Sequence, residues 1–248
     1  MRAINKKTKV LITGGSRGIG RGIAHVLHEA GYEVIVIGQS KESKFLNPEI
    51  RYIKADLSTP KGISQICKLI DEETPPVLIN CLGIERNSNF TDMTMKNYKL
   101  VMDTNVTCHV ELSKAAIPHM VKNKWGRIIF ITSVWGNIGT RRRAVYSMSK
   151  FALHGLAMSL ADEYAKDGIR VNCVAPGFVY IDETSIPGRG EKRNQFLASK
   201  VPIGRLGRPK EIGNTFKWLV SKESDYITGQ VIVVDGGFQN SGSRGEAF

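Results

Sequence analysis

Tyr146 and Lys150 are four residues apart in the stretch YSMSK, and a phenol beside an ammonium is a means of moving a proton. On a helix, residues i and i+4 share a face. A free phenol titrates near ~10, too high to act as a base at neutrality. At an effective dielectric near 20, a charge about 4 Å away is worth about 4 kcal/mol, or roughly three pKa units. Lys150 is therefore expected to draw Tyr146 down into the range of general acid–base chemistry. Ser133 ends the apolar run GRIIFITS and is placed to hold a substrate oxygen by a hydrogen bond. Between it and the tyrosine lie Trp135 and three consecutive arginines, Arg141, Arg142 and Arg143.

A second chemistry-bearing stretch is TGGSRGIG, residues 13–20, which follows a short apolar run and opens a helix-like segment. Gly14, Gly18 and Gly20 let the backbone turn tightly and approach a pyrophosphate at the helix N-terminus, where free N–H groups and the helix dipole favour anions. A glycine trio alone is weak evidence; the preceding strand and following helix make it specific for a dinucleotide. Proteins that bind NAD in this way normally end the second strand with an acid for the ribose 2′-OH. Here Gly38, Gln39, Ser40 and Lys41 occupy that place. Arg17 and Lys41 are positioned to meet a 2′-phosphate, which favours NADP(H). The competing reading leaves both side chains solvated.

These residues need a scaffold, and the chain alternates apolar runs with amphipathic stretches. Strands are expected at 9–13, 32–38, 51–57, 76–83, 126–133, 169–177 and 230–237, and helices at 18–31, 61–73, around 95–123 and at 146–168. Apolar strands without alternation, separated by helices, indicate a parallel sheet covered on both faces. The fold class is thus α/β, a doubly wound Rossmann sheet of about seven strands. No composition break divides residues 1–240, which are expected to form one dinucleotide-binding domain; the Gly/Ser-rich tail 241–248 is expected to lie outside it.

Bulk properties narrow the function. The 248 residues are 42% hydrophobic and 23% charged, ordinary for a soluble globular protein, and no apolar stretch reaches the roughly 18 residues of a membrane span. The basic N-terminus runs straight into the glycine loop, without the apolar run of a signal peptide, so a cytoplasmic protein is expected. Cys67, Cys81, Cys108 and Cys173 form no CxxC and sit among apolar neighbours, which suits free thiols. No His/Cys spacing suggests a metal. The net charge of +12 is spread along the chain without a nucleic-acid motif, so acidic small molecules or an acidic carrier fit better than nucleic acid.

With TGGSRGIG, a serine thirteen residues before YxxxK, and Pro176-Gly177 after the sixth strand, residues 8–240 resemble the short-chain dehydrogenase/reductase family. RVNCVAPGF, VPIGRLGRPKEI and YITGQVIVVDGG look like its 3-oxoacyl-(acyl carrier protein) reductase branch. The resemblance implies Tyr146 as general acid, Lys150 lowering its pKa and bonding the nicotinamide ribose, Ser133 positioning the carbonyl, and Asn105 anchoring a proton-relay water. It implies NADP(H) contacts along Gly14, Ser16, Arg17, Gly18, Ile19 and Gly20, at Gln39, Ser40 and Lys41, at Asp56 and Leu57 near adenine, at Asn80 and Gly83, and at Pro176, Gly177 and Val179. It also implies a homotetramer or homodimer, and a mobile substrate lid around 178–200, where Arg189, Lys192 and Arg193 add charge.

Two departures stand out. The family's NNAG is here Asn80-Cys81-Leu82-Gly83, bulkier in its middle. Its nicotinamide-contacting threonine is replaced by Ile181, and Thr184 reaches that role only with a loop shift. Trp135 and the arginines depart too, from a small polar stretch. At least one arginine is expected to meet an anionic group on the substrate or its carrier; the alternative leaves all three solvated or paired with acids. The resemblance thus implies an NADPH-dependent reductase of a 3-oxoacyl thioester, with an acidic acyl carrier protein as the expected partner that presents it. A sugar, steroid or other alcohol dehydrogenase is the alternative, and a non-catalytic NADP-binding sensor or scaffold a more distant one.

Overall fold

A computed structural model describes residues 8–40, 46–181 and 190–241. Lys41, Thr184, Arg189 and the tail beyond Ser241 lie outside the described residues. Seven strands form one parallel sheet: β1 (Lys9–Thr13), β2 (Glu33–Gly38), β3 (Arg51–Lys54), β4 (Val77–Asn80), β5 (Gly126–Ile131), β6 (Ile169–Pro176) and β7 (Val231–Val234). Their order is β3-β2-β1-β4-β5-β6-β7, so the winding direction reverses between β1 and β4. This is the doubly wound sheet that the apolar runs imply.

The sheet is parallel because its central strands have no solvent-facing side. Val10, Leu11 and Ile12 of β1 pair with Val34, Ile35 and Val36 on one flank and Val77, Leu78 and Ile79 on the other, all buried. Leu11, Ile35 and Leu78 face a core built with α2 (Pro60–Glu73), α4 (Cys108–Asn123) and α5 (Ala144–Tyr164). Val10, Ile12 and Val36 face a second core with α1 (Gly18–Glu29) and α7 (Pro209–Leu219). Each side chain of this kind contributes about 1.5–3 kcal/mol when fully buried.

Four elements differ most from the sequence expectation. The helical region 95–123 is divided: α3 (Met95–Met102) and α4 are joined by a π-helical turn, Asp103–Thr107, that carries Asn105. Such turns concentrate at functional sites, because they re-aim a side chain. The strand expected to reach Ser133 ends at Ile131, and Ser133 instead caps a short 3-10 turn by accepting a hydrogen bond from Trp135 N at 3.2 Å. Two helices were not expected, α6 (Glu191–Ser199) and α7. The signals for α7 were present in GRPKEI: Pro209 in the first turn and Glu211, which accepts from Arg208 N at 2.7 Å. Among the described residues no helix is long and apolar enough to cross a membrane.

Candidate active site

The crevice opens at the C-terminal ends of β1, β4 and β5, where the strand order reverses, the place where open α/β sheets take their ligands. On one side lies the loop after β1. Gly14 has φ +66°, and a Cβ there would stand 2.9 Å from Leu82 Cα. A Cβ on Gly20 would stand 2.3 Å from Gly14 O, so this turn closes only without side chains. Gly18 opens α1, no side chain caps its amides, and its first turn holds no acid. Ile19 packs against the core, Ser16 is half-buried and Arg17 is exposed. A dinucleotide's pyrophosphate fits this cradle: bare backbone, a free helix N-terminus and one neighbouring cation.

The expected adenosine contacts surround the end of β2. Gln39 and Ser40 are exposed, Gln39 Nε2 donates to Asp56 Oδ2 at 2.9 Å, and the Tyr52 hydroxyl donates to Ser40 O at 2.7 Å. Hydrogen bonds from the Ser58 side chain and backbone, with Gln39 adding to them, hold the Asp56 carboxyl below the usual range. Leu57 sits in the core, leaving its main chain as the part that faces the crevice side.

Packed against this turn, the loop after β4 is pinned almost atom by atom. Thr13 Oγ1 accepts from Cys81 N and Leu82 N at 3.0 and 3.1 Å. His109 Nε2 bonds Leu82 O at 2.9 Å. Asn105 Oδ1 accepts from Ile84 N at 2.8 Å while its amide donates to Ile84 O at 2.9 Å and to Ser149 Oγ at 3.0 Å. The bulkier Cys81-Leu82 middle is thus accommodated, with burial pushing the Cys81 thiol up to about 12. His109 is a residue that the sequence did not mark. A carbonyl only accepts, so Nε2 carries the proton, and Nδ1 faces Cys108 Sγ at 3.4 Å. Burial, then the nearby Lys150 charge, pull this imidazole down to about 3, so it stays neutral. Asn80 is fully buried, donating to Ser113 Oγ at 3.3 Å, with Oδ1 unpartnered.

Asn105, Ser133, Tyr146 and Lys150 converge between these loops. Lys150 is 2% exposed, and its Nζ donates to Ile131 O at 2.9 Å. A Cβ on Gly83 would stand 3.0 Å from that Nζ, and one on Gly136 3.0 Å from Lys150 Cβ, so both glycines make room for the lysine. Among the causes that act on the Tyr146 phenol, the Lys150 charge expected to lower it is not one. Lys150 Nζ stands 5.8 Å from the phenol ring centroid, and burial pulls its own pKa down to about 8. Burial pushes Tyr146 up to about 12; a hydrogen bond with the Ser133 side chain and the Arg143 charge act against this, and Glu85 and Cys81 add to it. The estimate from spacing assumed a full charge at about 4 Å and ignored desolvation, which penalises the phenolate.

The rim carries the remaining expected residues. β6 ends at Pro176; Gly177 N donates to Val234 O, and a Cβ on Gly177 would stand 2.6 Å from Asp235 Cβ. Val179 is half-buried and bridges to Gly207, and Ile181 leans to within 3.4 Å of a Cβ built on Gly18. Trp135 meets Phe178 and Phe238 edge-on at 5.9 and 5.5 Å. The three arginines separate. Arg141 and Arg142 are exposed, Arg142 in a left-handed conformation with φ +63°. Arg143 turns inward: Nε stands 3.1 Å from Glu85 Oε2, and the guanidinium lies 5.8 Å from the Trp135 ring. Of α6, Lys192 and Arg193 are exposed. All four cysteines are free, and among the described residues no cluster could hold a metal ion.

The chain is similar to known proteins. Residues 14–239 match the model of a family described as enoyl-(acyl carrier protein) reductase. The 3-oxoacyl-(acyl-carrier-protein) reductase FabG of Vibrio cholerae is 38% identical over 94% of this chain and 98% of its own length. The protein of the same name from Aquifex aeolicus is 37% identical over 92% and 95%. Among solved structures, aldohexose dehydrogenase of Thermoplasma acidophilum superposes with a TM-score of 0.86 at 30% identity, covering 98% of each chain. A Beutenbergia cavernae protein described as a putative NAD(P)-dependent gluconate 5-dehydrogenase, with bound NADP, gives 0.87 at 29% identity over 94% of this chain and 97% of that one.

Proposed function

The chain belongs to the short-chain dehydrogenase/reductase family, and from that premise we propose that it uses NADPH to reduce a ketone to a secondary alcohol, with a 3-oxoacyl thioester as substrate class. The observation that carries this reading is the Tyr146 phenol, hydrogen-bonded with Ser133, at the strand ends that also carry the glycine cradle. When bound, the reduced nicotinamide supplies hydride to the carbonyl carbon. Ser133 and Tyr146 hold the carbonyl oxygen, and Tyr146 donates its proton as negative charge develops there. An alkoxide is a far stronger base than a phenolate, so the transfer runs downhill even from a phenol raised to about 12. The high value keeps Tyr146 in the acid form that reduction requires. Oxidation, which needs the phenolate, is held back near neutrality.

Lys150 is fixed by Ile131 O, with its Nζ beside Gly83, where a cofactor ribose would lie. Asn105 keeps the wall after β4 in place through Ile84. Preference for NADPH follows from Arg17 at the loop and from Gln39 in place of an acid after β2. The thioester class rests on the named activity of the FabG relatives. The exposed Arg141 and Arg142 suit the acidic surface of a carrier protein. A sugar or polyol dehydrogenase is the second reading, favoured by the named activities of the structural neighbours. Association into dimers or tetramers is supported by Phe151 and Met158, 64% and 53% exposed along α5.

A screen of NADPH oxidation over 3-oxoacyl thioesters, simple ketones and ketoses, with NADH in parallel, tests the proposal. Turnover of thioesters with NADPH well above NADH is expected. Turnover of ketoses alone would move the assignment to the second reading, and activity with no carbonyl compound would end it.

A further inference from the structure

The inward turn of Arg143 places a charge pair beside the Tyr146 phenol. Its helix α5 begins at Ala144, so Arg143 lies three residues before Tyr146 at the mouth of the crevice. Glu85 reaches it from the loop after β4, two residues beyond Gly83. The two loops are also tied by a backbone bond from Ser88 N to Arg142 O at 3.1 Å. The guanidinium lies against Trp135, two residues from Ser133, and both charges of the pair act on the Tyr146 phenol. The pair therefore borders the carbonyl side of the site. Across the crevice lie the glycine loop and the end of β2.

The contact is loose. Arg143 Nε is buried without a well-aligned hydrogen bond, although Glu85 Oε2 stands only 3.1 Å away. Elsewhere in the same chain Arg205 grips Glu211 with a two-pronged fork at 2.7 and 2.9 Å, which shows what a locked pair looks like. Arg143 is 22% exposed and Glu85 40%, so both remain open to a ligand. A free carboxylate arriving near the carbonyl would meet Glu85 first and would have to displace it to reach the guanidinium. A neutral thioester or ester meets a pair with no net charge.

We propose that Glu85 and Arg143 together form a substrate-charge filter, in which Glu85 occupies the arginine, so that neutral 3-oxoacyl groups are admitted and free oxo acids rejected. Specificity of this kind is a difference between two affinities, and an opposing charge is an economical way to make it. The inference rests on the reductase reading and refines its substrate class. It also separates the roles of the three arginines: Arg143 acts on the reacting end of the substrate, and Arg141 and Arg142 do not.

The test compares kcat/KM for acetoacetate with that for ethyl acetoacetate, and for 4-oxopentanoate with its ethyl ester, all with saturating NADPH. Because the acid-to-ester ratio is taken within one preparation, partial misfolding cancels. Wild type should prefer the esters. Glu85→Gln leaves Arg143 uncompensated and should move the ratio toward the acids by about tenfold or more. Arg143→Gln leaves Glu85 uncompensated and should move it the other way. The double variant removes the pair and the filter with it, so its ratio should lie between wild type and Glu85→Gln; Arg143→Lys, which keeps the charge, should stay close to wild type and serves as the control should Arg143→Gln fold poorly. Arg141→Gln and Arg142→Gln should leave the ratio unchanged. Shifts in the same direction for Glu85→Gln and Arg143→Gln, or no shift in either, overturn the filter while leaving the reductase intact. Absence of turnover of either ester by wild type would strike at the reductase reading instead.

Discussion

The loop after β1 and the loops after β4 and β5 sit at the same ends of the sheet, yet they work by opposite means. Residues 14–20 function through what they lack: a Cβ on Gly14 or Gly20 would strike Leu82 or Gly14 O, and the bare amides of α1 are left for a ligand. In the loops after β4 and β5, side chains are instead held on main-chain groups. Asn105 grips Ile84, His109 grips Leu82, and Lys150 is fixed on Ile131 O. In the proposed function the first wall binds and the second reacts. Damage to the first should therefore appear mainly in cofactor affinity and stability, and damage to the second in turnover.

The largest expected effect tests the reacting wall. Tyr146→Phe removes the proton donor and should lower kcat by about 10³-fold, within the range for a general acid, while NADPH affinity and melting temperature stay near wild type. In the same assay run as alcohol oxidation, the wild-type rate should climb about tenfold per pH unit between 7 and 9, because the reactive phenolate is scarce well below a pKa of about 12; the variant should lose that slope. A loss of NADPH affinity equal to the loss of kcat would erase the division between the two walls.

Gly20→Ala probes the binding wall. With a Cβ only 2.3 Å from Gly14 O, the loop must open. The expected cost is about 2–3 kcal/mol of stability with a large rise in the KM for NADPH, read by denaturant unfolding and by cofactor titration. An unchanged KM would show that the loop does not touch the cofactor. The smallest change sharpens the comparison: Arg17→Gln should raise the KM for NADPH by about tenfold, one charge-assisted contact, and leave NADH alone. Equal effects on both cofactors would assign Arg17 to the pyrophosphate and not to a 2′-phosphate.

Legibility followed the same division. β1, the glycine turn and α1 were readable because each depends on neighbours within a few residues: an apolar run, glycines at fixed intervals, then a helical stripe. Tyr146 and Lys150 could be placed on one helix face for the same reason. The division of 95–123 by a π turn was not readable, since Asn105 sits there to reach Ile84, far away in sequence. His109 carried no signal either; an isolated histidine on an apolar helix face matches a core residue as well as a positioning one. The arginine cluster looked uniform in the sequence and is not, because only Arg143 meets an acid from another loop.

By itself the sequence determined the sheet, and it marked the glycine turn and the side chains proposed to react, all of which follow from residue type and short-range spacing. Only the tertiary structure decided their electrical state. Burial raised the phenol and weakened the lysine charge, and a carboxylate from a distant loop claimed one arginine of three. Both outcomes depend on which groups exclude water from which, and that is a property of the packed chain and not of any stretch of it.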